Sequence, residues 1–111
     1  MVKRFTPERG DIVWIDFSPA KGHEQKGLRP AVVISPTRYN SISGLILACP
    51  LTTKSKGYLF EVPIESPKRR SFVLVDQVRT FDIKERVMKS EGRVSQNEIN
   101  EILAKVSVLF Q

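Results

Sequence analysis

The chain predicts a mainly β domain closed by one C-terminal α-helix, and three observations carry that expectation. Residues 12–17 alternate with period two, placing Val13, Ile15 and Phe17 on one apolar face. Residues 45–51 form an almost wholly apolar run, as in a strand covered on both sides. From Ser95 the period changes. Ser95-Gln96-Asn97-Glu98 is a capping box, and Ile99, Ile102, Leu103, Val106, Leu109 and Phe110 recur at helical spacing.

Taken in order, the polar residues 1–9 are an irregular lead-in, and Gly10-Asp11 turns the chain into the first strand. Ser18-Pro19 ends that strand. A polar segment follows, Gly22-His23-Glu24-Gln25-Lys26-Gly27-Leu28-Arg29-Pro30, bracketed by two apolar runs. Pro30 marks the entry to a second strand over residues 31–35, since proline is tolerated at a strand's first position or on an edge. Residues 36–44 are a connector with room for one helical turn, and Pro50 predicts a bulge or an end to the third strand. Residues 52–57 form a cationic loop, residues 58–64 a strand broken or edged by Pro63, and residues 65–70 a basic turn. Residues 71–80 read as one long strand, and residues 81–92 as a turn with a short strand around Val87-Met88-Lys89. Roughly five or six short strands and one terminal helix suggest a small, partly open β-barrel of the SH3-like kind.

The length of 111 residues fits one domain spanning residues 1–111. No apolar run reaches the ~20 residues of a membrane span, and no apolar segment follows the polar N-terminus, so the expected location is the cytoplasm. The single cysteine, Cys49, lies in an apolar run and reads as a buried structural thiol. A net charge of +6 suits a polyanionic partner such as nucleic acid. The excess is unevenly spread. From Ala31 to Phe60 there are three cations (Arg38, Lys54, Lys56) and no acid, whereas from Val94 onward two acids face one cation.

One histidine, one cysteine and scattered carboxylates offer no zinc spacing and no acidic cluster for Mg²⁺, so no metal or cofactor is expected. There is no Gly-x-Ser-x-Gly turn for a serine hydrolase, and no glycine-rich phosphate cradle. Arginine, threonine, glutamate and histidine near a basic surface suit RNA cleavage by the substrate's own 2′-hydroxyl. That reaction needs phosphate positioning, charge stabilisation and two proton transfers. Arg29 has the bidentate fork for a phosphate, Thr52 can hydrogen-bond its oxygen, and Glu24 or His23 could move protons. Each also has a plain structural reading: Arg29 paired with Glu24, Thr52 making a side-chain turn, Asp76 and Gln77 a satisfied polar pair, and the lysines solvated.

Several blocks together carry more weight than any one of them. Gly10-Asp11-Ile12-Val13-Trp14, Asp16-Phe17, Gly22-His23-Glu24-Gln25, Arg29-Pro30-Ala31, Tyr39-Asn40, Pro50 with Thr52, and Asp76-Gln77-Val78-Arg79 stand in one order. They resemble the MazF/PemK family of toxin endoribonucleases, most nearly its MazF branch, over almost the whole chain. The resemblance implies the MazF/CcdB-type toxin fold, a homodimer, and a cognate antitoxin protein with an acidic disordered tail. It also implies metal-independent cutting of single-stranded mRNA at short sequences, leaving a 2′,3′-cyclic phosphate and a 5′-hydroxyl. Carried over by position, Arg29, Thr52 and Glu24 become the catalytic candidates. His23, Gln25, Lys54, Lys56, Asp76, Gln77 and Arg79 become the RNA contacts. The PemK-branch catalytic arginine falls on Leu74, so that branch's arginine–aspartate assignment is not transferred. The alternative on the same fold is a non-catalytic DNA gyrase poison of the CcdB type. That branch acts through a C-terminal tryptophan, whereas the one tryptophan here is Trp14.

Overall fold

The computed structural model describes residues 5–18, 27–65 and 69–111. Among them, seven strands form one antiparallel sheet curled into a partly open barrel. They are β1 (Asp11–Asp16), β2 (Leu28–Val33), β3 (Leu45–Thr52), β4 (Glu61–Glu65), β5 (Arg70–Leu74), β6 (Arg79–Asp82) and β7 (Val87–Arg93). Three helices accompany them, α1 (Thr37–Ser43), α2 (Ile83–Arg86) and α3 (Gln96–Val108). The path runs β4-β5-β3-β2-β1-β7, with β6 pairing the first half of β3.

The period-two face of β1 is borne out. Val13, Ile15 and Phe17 pack with Ala31, Val33, Ile46, Ala48 and Phe81 on one side of the sheet. Ile12 and Val32 point to the other side, where Ile99, Ile102 and Val106 of α3 cover Cys49, Val62, Val73 and Val75. The capping box forms as read: the Glu98 amide donates to Ser95 Oγ at 3.1 Å, and the Ser95 amide donates to Glu98 Oε1 at 2.8 Å. The apolar stripe is shorter than its spacing suggested. The helix stops at Val108, and Leu109 and Phe110 lie exposed beyond its buried face.

Gly10 takes φ of +95°, a conformation costly for any other residue, and both its backbone groups are used, toward Val33 and Val94. Arg93 then closes on Asp11 at 2.5 Å and donates to the Arg9 carbonyl at 2.9 Å. Asn40 is a buried anchor for α1: its Nδ2 donates to the Pro7 and Ser35 carbonyls, and its Oδ1 accepts from Ser35 Oγ. Gly44, with φ of +73°, ends that helix.

Three expectations change. Pro50 does not end β3; the strand runs on to Thr52. Pairing with β6 reaches only Ala48, and pairing with β5 starts at Leu51, so the proline without an N–H falls between these two partners. The long strand over residues 71–80 is instead β5 and β6, separated by a 3₁₀ turn at Val75–Gln77. Moving from Leu51 to Ala48 takes three steps on β3, but the facing chain takes six, from Val73 to Arg79. The three surplus residues are absorbed in that turn. Lastly, β2 begins at Leu28, with Pro30 paired to Trp14 before β3 joins at Ala31. The proline is still at an edge.

Cys49 is fully buried, and burial above all, helped by Asp76, pushes its thiol up to about 12. It is an inert core thiol.

Candidate active site

A cleft of about 720 Å³ opens where β2 and β3 run beyond their shared pairing. Their last rung on this side is Ala31 opposite Pro50. Continued by two residues, the same antiparallel register sets Arg29 opposite Thr52, and both line the cleft. The β2–β3 pairing therefore carries two residues 23 positions apart in the chain to one cleft.

Arg29 is exposed, on β2 opposite Ile15. Thr52 ends β3 opposite Phe72, and its Oγ1 accepts the Lys54 amide at 3.2 Å. That bond turns the chain into the following loop. It occupies a lone pair and leaves the hydroxyl proton available to an anion in the cleft. Lys54 lines the same cleft, as do Arg69 and Ser71 from the start of β5 and its lead-in. Trp14 and Ile12 form its apolar part, and the Lys89 ammonium stands 5.8 Å from the Trp14 ring centroid. Among the described lining residues, Arg29, Lys54 and Arg69 face one carboxylate, Glu91. The balance favours a phosphate-bearing ligand.

The other candidates divide. His23, Glu24 and Gln25 lie outside the described residues. Lys56 is exposed on the loop after Thr52, beside the cleft rather than in its lining. Asp76 and Gln77 sit in the 3₁₀ turn, where Asp76 accepts a 2.8 Å hydrogen bond from Tyr58 Oη. This bond chiefly raises the Tyr58 phenol above its ordinary value. Arg79 is not brought to the cleft. Its guanidinium lies 4.9 Å from the Phe81 centroid and 5.7 Å from that of Phe17, on the opposite side of β3 pairing.

Sequence reasoning missed Arg69, Ser71, Glu91 and the wall made by Trp14. Arg69 belonged to the basic turn read over residues 65–70, and Glu91 lay past the short strand expected around Val87-Met88-Lys89. Only the sheet topology brings them to Arg29. Among the described residues, no group of histidine, cysteine and carboxylate side chains is arranged to hold a metal ion.

Fold and cleft define a class first: a small antiparallel barrel with a C-terminal helix and a cationic cleft at its open edge. The comparisons then narrow it. A family model described as PemK-like, MazF-like toxin of type II toxin–antitoxin system matches residues 8–110. The chain is 46% identical over 110 residues to the endoribonuclease toxin MazF of Escherichia coli K12, covering 99% of each chain. It superposes on the crystal structure of MazF from Deinococcus radiodurans with a TM-score of 0.89 at 37% identity, covering 96% of this chain and 98% of that one. A MazE–MazF complex from the same organism matches at a TM-score of 0.82 and 37% identity, covering 96% and 97%. The chain belongs to the PemK-like, MazF-like family of type II toxins. The gyrase-poison alternative is not favoured by these matches.

Proposed function

We propose that this protein is the endoribonuclease toxin of a type II toxin–antitoxin pair, cutting single-stranded mRNA at short sequences and so halting translation. The observation that carries the reading is the meeting of Arg29 and Thr52 on one cationic cleft through the β2–β3 register. The 2′-oxygen of the RNA attacks the adjacent phosphorus, and the bond from phosphorus to the 5′-oxygen breaks. A 2′,3′-cyclic phosphate and a 5′-hydroxyl result. One proton leaves the 2′-hydroxyl and one is delivered to the departing 5′-oxygen.

Arg29 holds the scissile phosphate with two N–H groups and stabilises the charge that grows on it. Thr52 donates to a second phosphate oxygen from its otherwise unused O–H. Glu24 is the proposed proton acceptor, with His23 and Gln25 contacting the strand. Lys54, Lys56 and Gln77 guide the RNA toward the cleft, and Asp76 acts through its bond to Tyr58. Unpaired RNA fits because its base edges are open to side chains.

The protein works in the cytoplasm as a homodimer; among the described residues no helix is long and apolar enough to cross a membrane. Exposed Val108, Leu109 and Phe110 at the end of α3 supply apolar surface for the second copy. A cognate antitoxin partners the protein, as MazE partners MazF in the complex of the relative, and its acidic, disordered tail is proposed to cover the cationic cleft.

Incubation of the purified protein with a long unstructured transcript in excess EDTA tests the reading. Cleavage persists, leaves cyclic-phosphate ends, and drops about 10²–10³-fold in Arg29→Ala, as for loss of one transition-state charge contact. An intact transcript, or full activity in Arg29→Ala, overturns it.

A further inference from the structure

Beside the cleft, the loop between Thr52 and β4 is held by one buried side chain. Glu61, the first residue of β4, is only 5% exposed, yet both its carboxylate oxygens are spent on this loop. Ser55 Oγ donates to Oε1 at 2.7 Å, and the Lys56 amide donates to Oε2 at 2.9 Å. Ser55 Oγ in turn accepts the Gly57 amide at 3.0 Å, just where Gly57 takes φ of +64°. From the other side, Lys105 of α3 donates to the Glu61 carbonyl at 2.9 Å, fixing the backbone and leaving the carboxylate to the loop. A second tie joins Tyr58 to Asp76, and the Tyr58 ring meets Phe60 edge-on at 5.6 Å.

A buried carboxylate is costly unless its oxygens are hydrogen-bonded, so this arrangement demands the loop conformation that supplies the donors. That conformation turns Lys54, Lys56, Tyr58 and Leu59 outward, with Tyr58 46% and Leu59 72% exposed. Cations beside an exposed ring and an exposed aliphatic chain form the surface on which a single strand lays its backbone and stacks its bases. We infer that Glu61 is a positioning residue for RNA selection: its carboxylate shapes the 53–60 loop so that this surface reads the unpaired bases flanking the cut. The inference rests on the endoribonuclease reading. Glu61 touches neither phosphate nor reacting atoms, so its effect falls on substrate binding and on which sequences are cut.

The test maps cleavage ends on a long transcript and measures KM and kcat on one preferred oligonucleotide. Native protein is compared with Glu61→Gln and Ser55→Ala well below their melting temperatures. Glu61→Gln leaves one acceptor oxygen where the native carboxylate has two, and Ser55→Ala removes both the donor to Glu61 Oε1 and the acceptor of the Gly57 amide while keeping the acid itself. Both variants raise KM about tenfold with kcat within about twofold, and both cut at sequences the native protein spares. A purely structural role moves the melting temperature while leaving KM and the cut sites native, and that result overturns the inference. If Glu61→Gln does not fold, Ser55→Ala decides alone by the same readouts. A native protein that leaves RNA intact fails the nuclease reading itself, which is a distinct result from a nuclease whose variants behave as native.

Discussion

Arg29 and Arg79 are the same residue type, each drawn from a motif block that the sequence assigns to RNA, and the structure gives them opposite surroundings. Arg29 stands exposed on β2 in a cleft shared with Thr52, Lys54 and Arg69. Arg79 is half-buried on β6, its guanidinium near the touching rings of Phe17 and Phe81, and its Nη1 is shielded from solvent with no hydrogen-bond partner among the described residues. A guanidinium that is to grip a phosphate must keep several N–H groups open on one side. One laid over two aromatic faces contributes through its stem and its attraction to the rings. Residue identity states what a group is able to do; the neighbouring rings decide what it does.

The largest effect that follows is catalytic. Arg29→Ala removes cleavage with little change in melting temperature, because an exposed strand residue gives up little packing. If instead activity falls only in step with the folded fraction, Arg29 joins Arg79 as a structural residue and the contrast collapses. Thr52→Ala comes next, losing about tenfold in kcat, the worth of one hydrogen bond to a charged oxygen. Thr52→Ser retains the hydroxyl and recovers most of that loss. A serine variant as slow as alanine would show that the threonine methyl, and not its hydroxyl, carries the effect.

The contrast also explains what could be read in advance. Period two in β1 and the capping box of α3 are local patterns, dictated by which face is buried and by which amide lacks a partner, and they formed as expected. The cleft is different in kind. Arg29 and Thr52 are legible as motif residues, but their meeting depends on the β2–β3 register, a long-range property. Arg69 and Glu91 gave no local sign at all, since the first sat in a basic turn and the second past the short strand expected around Val87-Met88-Lys89. The split between β5 and β6 was hidden for a related reason. Residues 71–80 have a strand-like composition throughout, and only the partner change along β3 forces the turn at Val75–Gln77. Arg79 is set apart from its motif neighbours for the same reason: Asp76 and Gln77 lie in that turn, and Arg79 opens β6 beyond it.

Arg79 itself gives the third and smaller effect. Arg79→Ala destabilises the fold by about 1–2 kcal/mol through the lost stem packing and ring contacts. Arg79→Met, which fills the same space without a charge that needs partners, comes within about 0.5 kcal/mol of native. Thermal unfolding at fixed protein concentration, alongside cleavage per folded molecule, separates the two roles. If Arg79→Met keeps its melting temperature but stops cutting, then Arg79 reaches RNA after all.

The smallest effect calibrates the others. Ser95 caps α3 by accepting the Glu98 amide, while Glu98 returns Oε1 to the Ser95 amide and also accepts the Glu65 amide through Oε2 at 2.8 Å. Ser95→Ala breaks only the first of these bonds, so the Glu98 ties to the helix start and to the end of β4 stay in place. The cost is about 1 kcal/mol, near 4 °C in melting temperature for a domain of this size. The helix start is not among the residues lining the cleft, so cleavage per folded molecule stays native. That variant sets how much activity is lost through stability alone. Arg79→Ala must fall on the same line of activity against melting temperature if it is a packing residue, whereas Arg29→Ala must lie far below it. A Ser95→Ala protein that also drops well below that line would mean that the barrel's far end is coupled to the cleft, and the division between the two arginines would then have to be redrawn.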